Sequence, residues 1–349
     1  RPGSLGVIEI GAAGVDRTAY AAVSPAEGTA EWTSRHSALN GDNYDPSFAG
    51  PRVSFAGEPM LLWNTSFPEG CCMPIRSLVI NDTWYGATYE TTFAMDVRSG
   101  DVLWSQNNTS VTYKSGIAYG DGLIYTGTPS TTERYPQRHL AALNATTGDI
   151  VWERFNGTDA MDGVTPAYTD GLLIVTPAHY RESYPFADIM ALDPQTGESV
   201  WNYTFDTDKT AISTYGSMAV DNGTLYTSDY DGNLSAHDVS DGSLKWIRNT
   251  GVEEGSPAVK HGIVYVASEG TDPFLWALDA ETGETIWTYS SDEVYGGYVG
   301  LSVTEDTVYA QSCGDAMYAV DAQTGDEQWV REGIGCAYDI SEPTVVGNI

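Results

Sequence analysis

The chain has 349 residues, an ordinary hydrophobic content of 41% and a formal net charge of −32, from 48 acids against 16 bases. This composition can bury a core, which excludes a disordered acidic tail, and the acid excess excludes binding DNA, RNA or anionic lipid through a basic face. No apolar run reaches 18 residues, which excludes a helical membrane span within this stretch.

In chain order, GVIEIGAAG, TAYAAVS and GTAEW read as three strands, the last ending at Trp32. Residues 33–70 then read as an insertion. HSALNGDNYDPSFAGP is loop-like, and MLLWNT resembles the last strand of a unit, ending at Trp63. One pattern dominates the chain: Ala, usually Asp two residues on, Gly at plus six and Trp at plus ten. Its copies are Ala22–Gly28–Trp32, Ala94–Gly100–Trp104, Ala142–Gly148–Trp152, Ala191–Gly197–Trp201, Ala236–Gly242–Trp246, Ala277–Gly283–Trp287 and Ala319–Gly325–Trp329. From Trp104 onward the tryptophans stand 48, 49, 45, 41 and 42 residues apart. A period in the forties with a glycine and an aromatic per unit marks a propeller array.

In the unit 256–288, AVKHG, IVYVAS, FLWALD and ETIWT read as four short strands, which is one antiparallel blade. The Asp carboxylate of DAETG can accept backbone N–H bonds inside the last turn, and its Gly supplies a positive φ. Each Trp is expected to reach across to the next blade, with its indole N–H needing an acceptor there. Most of the 22 tyrosines are expected to pack between blades as well.

The chain ends with SEPTVVGNI, which reads as a first strand whose blade the N-terminal strands complete. The expectation is an all-β chain, residues 1–349, forming a single β-propeller of four-stranded antiparallel blades. Seven blades are expected, or eight if Trp63 marks a degenerate unit. Strands from both termini close the ring and hide its edges.

These repeats resemble the quinoprotein-type family, whose Ala, Gly and Trp form a tryptophan-docking motif. LWALDAETGETIW and MYAVDAQTGDEQW are close to that pattern. The family includes dehydrogenases that use pyrroloquinoline quinone (PQQ) and cofactor-free propellers such as the outer-membrane-assembly scaffold. Its dehydrogenases carry a vicinal disulfide against the quinone, just before a first-strand Arg. GCCMPIRSLVINDTWYG is similar to that segment, which implies cofactor-binding roles for Cys71, Cys72 and Arg76. GTPSTTERYPQRHLAAL is similar to the stretch with a calcium-binding Glu, which implies Glu133 as cofactor and metal ligand, followed by Arg138. The resemblance offers only Tyr168 for the aromatic platform. It puts Ala178 or His179 where the family has a calcium-binding Asn, and no residue matches the catalytic Asp.

An even count of four cysteines in an exported chain suggests disulfides, either Cys313–Cys336 with Cys71–Cys72, or cross-pairs among the four. Nine Asn-x-Ser/Thr sequons support a glycosylated, exported chain: Asn64, Asn81, Asn107, Asn108, Asn144, Asn156, Asn202, Asn222 and Asn233. The dispersed acids resemble those of secreted haloarchaeal proteins. The five histidines, isolated in sequence, give no zinc spacing, and DYDGN at Asp229–Asn233 reads as a hairpin turn in preference to a calcium loop. The loop Ser290–Gly300, with Tyr295 and Tyr298, is the stretch best suited to recognition.

Three functions follow. The first is a secreted or cell-surface, non-enzymatic module of a halophilic archaeon, binding a protein or glycan without a cofactor. The second is an alcohol or sugar dehydrogenase using PQQ and calcium. The third is a structural subunit of a surface layer or filament that self-assembles through its terminal strands.

Overall fold

The computed structural model describes residues 6–10, 18–21, 44–45, 61–65, 76–87, 91–107, 116–128, 139–154, 163–178, 189–205, 218–229, 231–252, 255–267, 272–291, 299–312, 316–333 and 345–346. All regular structure there is strand. Six four-stranded antiparallel sheets follow one another, spanning residues 76–106, 118–154, 163–203, 219–249, 258–289 and 299–332. Each is a meander in which sequential strands pair, the pattern of propeller blades. The unit chosen from sequence has strands Ala258–Lys260, Ile263–Ala267, Leu275–Asp279 and Thr285–Tyr289, close to the expected boundaries. No helix is long and apolar enough to cross a membrane among the described residues.

The first two strands of most blades meet in a tight hairpin with two positive φ angles, as in Asn222 (46°) and Gly223 (69°). This twist matches that of the flanking strands, and Asn, Asp and Gly tolerate it best. Inner strands are fully buried: Thr224–Ser228, Ile263–Ala267 and Val299–Val303 present no exposed residue. Outer strands bury only their Trp face, as in Thr285–Tyr289. The core therefore lies between neighbouring sheets; Tyr265, Phe274 and Trp287 of the fifth pack with Leu301, Val308 and Tyr318 of the sixth in one cluster.

The chain ends pair differently from the expected closure. Gly6–Ile10 and Thr18–Ala21 do form an antiparallel hairpin. The other edge of Gly6–Ile10, however, takes Leu61–Thr65 as a parallel partner, with Ile8 opposite Trp63. Val345–Val346 instead runs parallel to Tyr44–Asp45. Either pairing satisfies backbone donors and acceptors along a strand edge, so the alternation of apolar residues alone does not choose between them.

Candidate functional site

The repeat residues act at the seams between blades. In every described blade the Ala of the motif sits at a register shift of the third strand, as at Ala277/Leu278, so the outer strand bends into its turn. In that turn Asp279 Oδ1 accepts the backbone N–H groups of Glu281 (3.0 Å) and Thr282 (2.8 Å). These bonds hold the Asp279 carboxyl below the usual carboxylate range. Asn144 fills the same role in the second sheet, accepting from Thr146 and Thr147.

The turn glycine is where the next blade arrives. A Cβ on Gly283 would fall 2.6 Å from the Trp246 ring, and one on Gly148 would fall 2.6 Å from that of Trp104. Only glycine lets the indole lie flat on the turn, and its φ of 69° at Gly283 is a second reason for the residue. Each indole N–H then donates to a carbonyl three residues before that glycine. Trp104 bonds Ala145 (2.8 Å), Trp152 bonds Pro194 (2.9 Å), Trp201 bonds Val239 (2.9 Å), Trp246 bonds Ala280 (3.0 Å) and Trp287 bonds Ala322 (3.0 Å). The expected docking is thus observed for five tryptophans. Trp329 is half-buried with Arg331 5.7 Å above its ring, and Trp32 lies outside the described residues.

Two further repeat positions went unread in the sequence. A tyrosine of the second strand stands opposite the motif Ala and tilts against the blade's own Trp, at about 6 Å between centroids. These are Tyr85, Tyr125, Tyr226, Tyr265 and Tyr309; Ile174 replaces the ring in the third sheet. Tyr265 donates to the Ala322 carbonyl at 3.0 Å, sharing that acceptor with Trp287. Burial raises the Tyr265 hydroxyl above its ordinary range and pushes that of Tyr226 up to about 12. The signal was available in the aligned strands TWYGA, TLYTS and IVYVA. Tyr265→Phe is expected to cost about 1 kcal/mol in urea unfolding, because a buried carbonyl loses one of two donors.

The second missed position lies two residues after the Trp. Gln106 donates to the Gly148 carbonyl (3.2 Å), Arg154 to the Gly197 carbonyl and Ser199 (2.6 Å to Ser199), and Arg248 to the Thr282 carbonyl (3.1 Å). Tyr203 and Tyr289 stand at the same place. Tyr203 packs edge-on to His237 of the next blade at 4.5 Å, and Tyr289 bonds Glu327 at 2.5 Å. His237 is fully buried. Its ring nitrogens contact Ser235 Oγ (3.0 Å) and the Gly242 carbonyl (3.3 Å), and desolvation lowers it to about 4.

Other sequence candidates are structural. Asp229 Oδ1 accepts from Asp231 N and Asn233 N, each at 2.9 Å, so DYDGN is a turn as expected. No cluster of three or more metal-binding side chains occurs among the described residues. Tyr168, the residue offered as a quinone platform, stacks on Tyr125 at 6.3 Å with planes 5° apart and covers Gly120. Burial and the neighbouring Asp121 push its hydroxyl up to about 12. Its ring is committed to the seam between the second and third sheets, so Tyr168 does not fit the platform role. Arg76 opens the first strand of the first sheet. Cys71, Cys72, Glu133, Arg138, Cys313 and Cys336 lie outside the described residues, as do Tyr295 and Tyr298. In sequence, Glu133 falls between second and third strands, while Cys71 and Cys72 precede a first strand.

A family model described as outer membrane protein assembly factor BamB matches residues 90–256 and 249–346. The chain belongs to this family. Among curated relatives, the outer membrane protein assembly factor BamB of Nitrosomonas eutropha is 29% identical over 130 residues, covering 36% of this chain and 31% of that protein. The quinohemoprotein alcohol dehydrogenase of Comamonas testosteroni is 30% identical over 108 residues, covering 28% of this chain and 15% of that protein. The matched segments thus span less than a third of either relative. Of solved structures, BamB from Moraxella catarrhalis superposes with a TM-score of 0.55 at 21% identity, over 72% of this chain and 71% of that one. A europium-containing methanol dehydrogenase gives 0.51 at 12% identity, over 87% and 85%. Both likenesses concern the fold, a propeller of PQQ-type repeats.

Proposed function

We propose that this chain is an exported β-propeller acting as a binding or assembly module for a protein partner. Membership of the family of an outer membrane protein assembly factor carries this reading. The seam geometry supports it: the repeat residues serve to stiffen a wheel, and a stiff wheel presents its connecting loops to a partner. On this reading residues 1–349 are one domain with an insertion at 33–70, closed as seven blades. Its tyrosine-bearing loops would also suit a glycan. The net charge of −32 and the nine sequons support an extracellular or cell-surface setting in molar salt, as in a halophilic archaeon.

A second reading, a quinoprotein dehydrogenase, is favoured by the matched segment of the quinohemoprotein alcohol dehydrogenase and by the Cys71–Cys72 pair. There Glu133 would hold calcium, Arg76 would face the quinone, and a vicinal disulfide would stack on it. One experiment separates the two. The protein is incubated with PQQ and calcium in molar salt, and its absorption spectrum and alcohol-dependent dye reduction are recorded. The binding reading expects no retained chromophore and no turnover. A retained quinone with turnover abolished by Glu133→Ala would replace it with the second.

A further inference from the structure

Nine of the thirteen asparagines stand in Asn-x-Ser/Thr sequons, although serine and threonine make up only 64 of 349 residues. Chance placement would give roughly two or three. The described sequons are not equivalent. Asn233 is locked: its Nδ2 donates to Asp229 (2.9 Å), its Oδ1 accepts from Asn249 (3.0 Å), and Ser235 is buried. Asn144 holds its turn through two backbone N–H groups. Asn222 donates to Asp221 (2.9 Å), and its Thr224 is buried beneath Lys245 (2.8 Å). Asn107 accepts from Thr91 and Ser105, each at 3.3 Å. Asn81 sits at a turn tip with φ of 48°, and its Thr83 is only half-exposed.

Asn202 differs from all of these. It lies on Ser199–Tyr203, the outer edge strand of the third sheet, and both Asn202 and Thr204 are exposed. Neither side chain makes a hydrogen bond with a described residue. The edge itself also wants cover. The outer strands Ile150–Arg154, Leu244–Asn249 and Glu327–Glu332 carry charges, which discourage edge-to-edge pairing. SVWNY, like the outer strands VLWSQ and TIWTY, carries none and leaves Val200 53% exposed; of these three strands it is the one that carries a sequon asparagine with an unbonded, exposed side chain.

We propose that Asn202 is an N-glycan acceptor whose glycan shields this edge. The inference rests on the reading of the chain as an exported protein. In the step, Asn202 Nδ2 attacks the anomeric carbon of a glycan carried on a lipid phosphate. The new C–N bond replaces the sugar–phosphate C–O bond, the lipid phosphate leaves with the electron pair, and one amide proton passes to a base of the transferase.

The test is glycopeptide mass spectrometry on the protein purified from its native host. The expected result is glycan on the Asn202 peptide and an unmodified Asn233 peptide, with Asn202→Gln lowering the intact mass by one glycan. Occupied sequons elsewhere with Asn202 bare would overturn this inference and leave the exported reading standing. A chain bare at all nine sequons would overturn the inference and remove the sequon support for export.

Discussion

Trp246→Ala is expected to lower the unfolding free energy by about 3–5 kcal/mol, the usual cost of emptying a large buried aromatic site. The indole is 6% exposed, lies on Gly283, and satisfies the Ala280 carbonyl at 3.0 Å. Truncation opens a cavity between the fourth and fifth sheets and removes one of two donors to that carbonyl, the other being the Tyr226 hydroxyl at 3.2 Å. Gly283→Ala attacks the same seam from the other side, since the added Cβ would stand 2.6 Å from the ring at a φ of 69°. It should cost about 1–3 kcal/mol through overpacking and backbone strain. Because each blade touches only its neighbours, hydrogen exchange should quicken first in the two sheets flanking this seam. The half-buried Trp329 makes the control, and Trp329→Ala should cost less. A Trp246→Ala loss no larger than that of Trp329→Ala would show that docking is not what holds the blades together.

Stability is expected to fall between pH 6.5 and pH 4 by about 3 kcal/mol through His237 alone, since each pH unit separating the folded and unfolded titrations contributes about 1.4 kcal/mol. The sign follows from burial. The folded state keeps the imidazole neutral down to about 4, whereas the unfolded chain protonates it at its ordinary value of 6.5. In that interval the unfolded state binds more protons, so the stability present above pH 6.5 is lost as pH falls through the folded value. The ring is enclosed by Tyr203 and Phe205 at 4.5 and 5.7 Å, which offer a cation no carboxylate partner. Asp238 titrates lower, held at about 2 chiefly by the Ser240 hydroxyl, so its own contribution is lost in more acidic solution. The check is urea unfolding at fixed salt from pH 7.5 to pH 4, beside His237→Leu. The variant will be weaker at neutral pH but should show a flatter slope in this window. An unchanged slope would assign the pH dependence to other groups.

The edge-on packing of His237 against Tyr203 also shows what kind of feature escaped the sequence. Isolated in sequence and without zinc spacing, this histidine carries no signal that distinguishes it from the exposed His261, which meets Glu305 at 2.7 Å. What buries it is the position two residues after the Trp of the preceding blade. That position holds Gln, Arg, Tyr, Arg, Tyr and Arg in the six described sheets. No residue type recurs strictly there, yet four of these side chains reach the neighbouring blade through a hydrogen bond. The candidate cofactor residues were legible only as short segments similar to the family's, because they stand outside the repeated Ala-to-Trp motif and no second copy in the chain reinforces them. Tyr168 illustrates the risk of that kind of reading, since its ring is taken up by Tyr125.

By itself the sequence determined the blade. The Ala-to-Trp spacing is a local object: a register shift, an Asp-capped turn and a left-handed glycine within eleven residues. Local backbone chemistry imposes it wherever it occurs. The four-strand unit and its period follow from the same short-range signals. Only the tertiary structure decided which carbonyl each indole meets, which tyrosine shares it, and that Tyr168 belongs to a seam. It also set the parallel pairings of Gly6–Ile10 with Leu61–Thr65 and of Val345–Val346 with Tyr44–Asp45. Those contacts join groups dozens of residues apart or more, where burial and acceptor geometry choose among partners that the sequence pattern leaves equal.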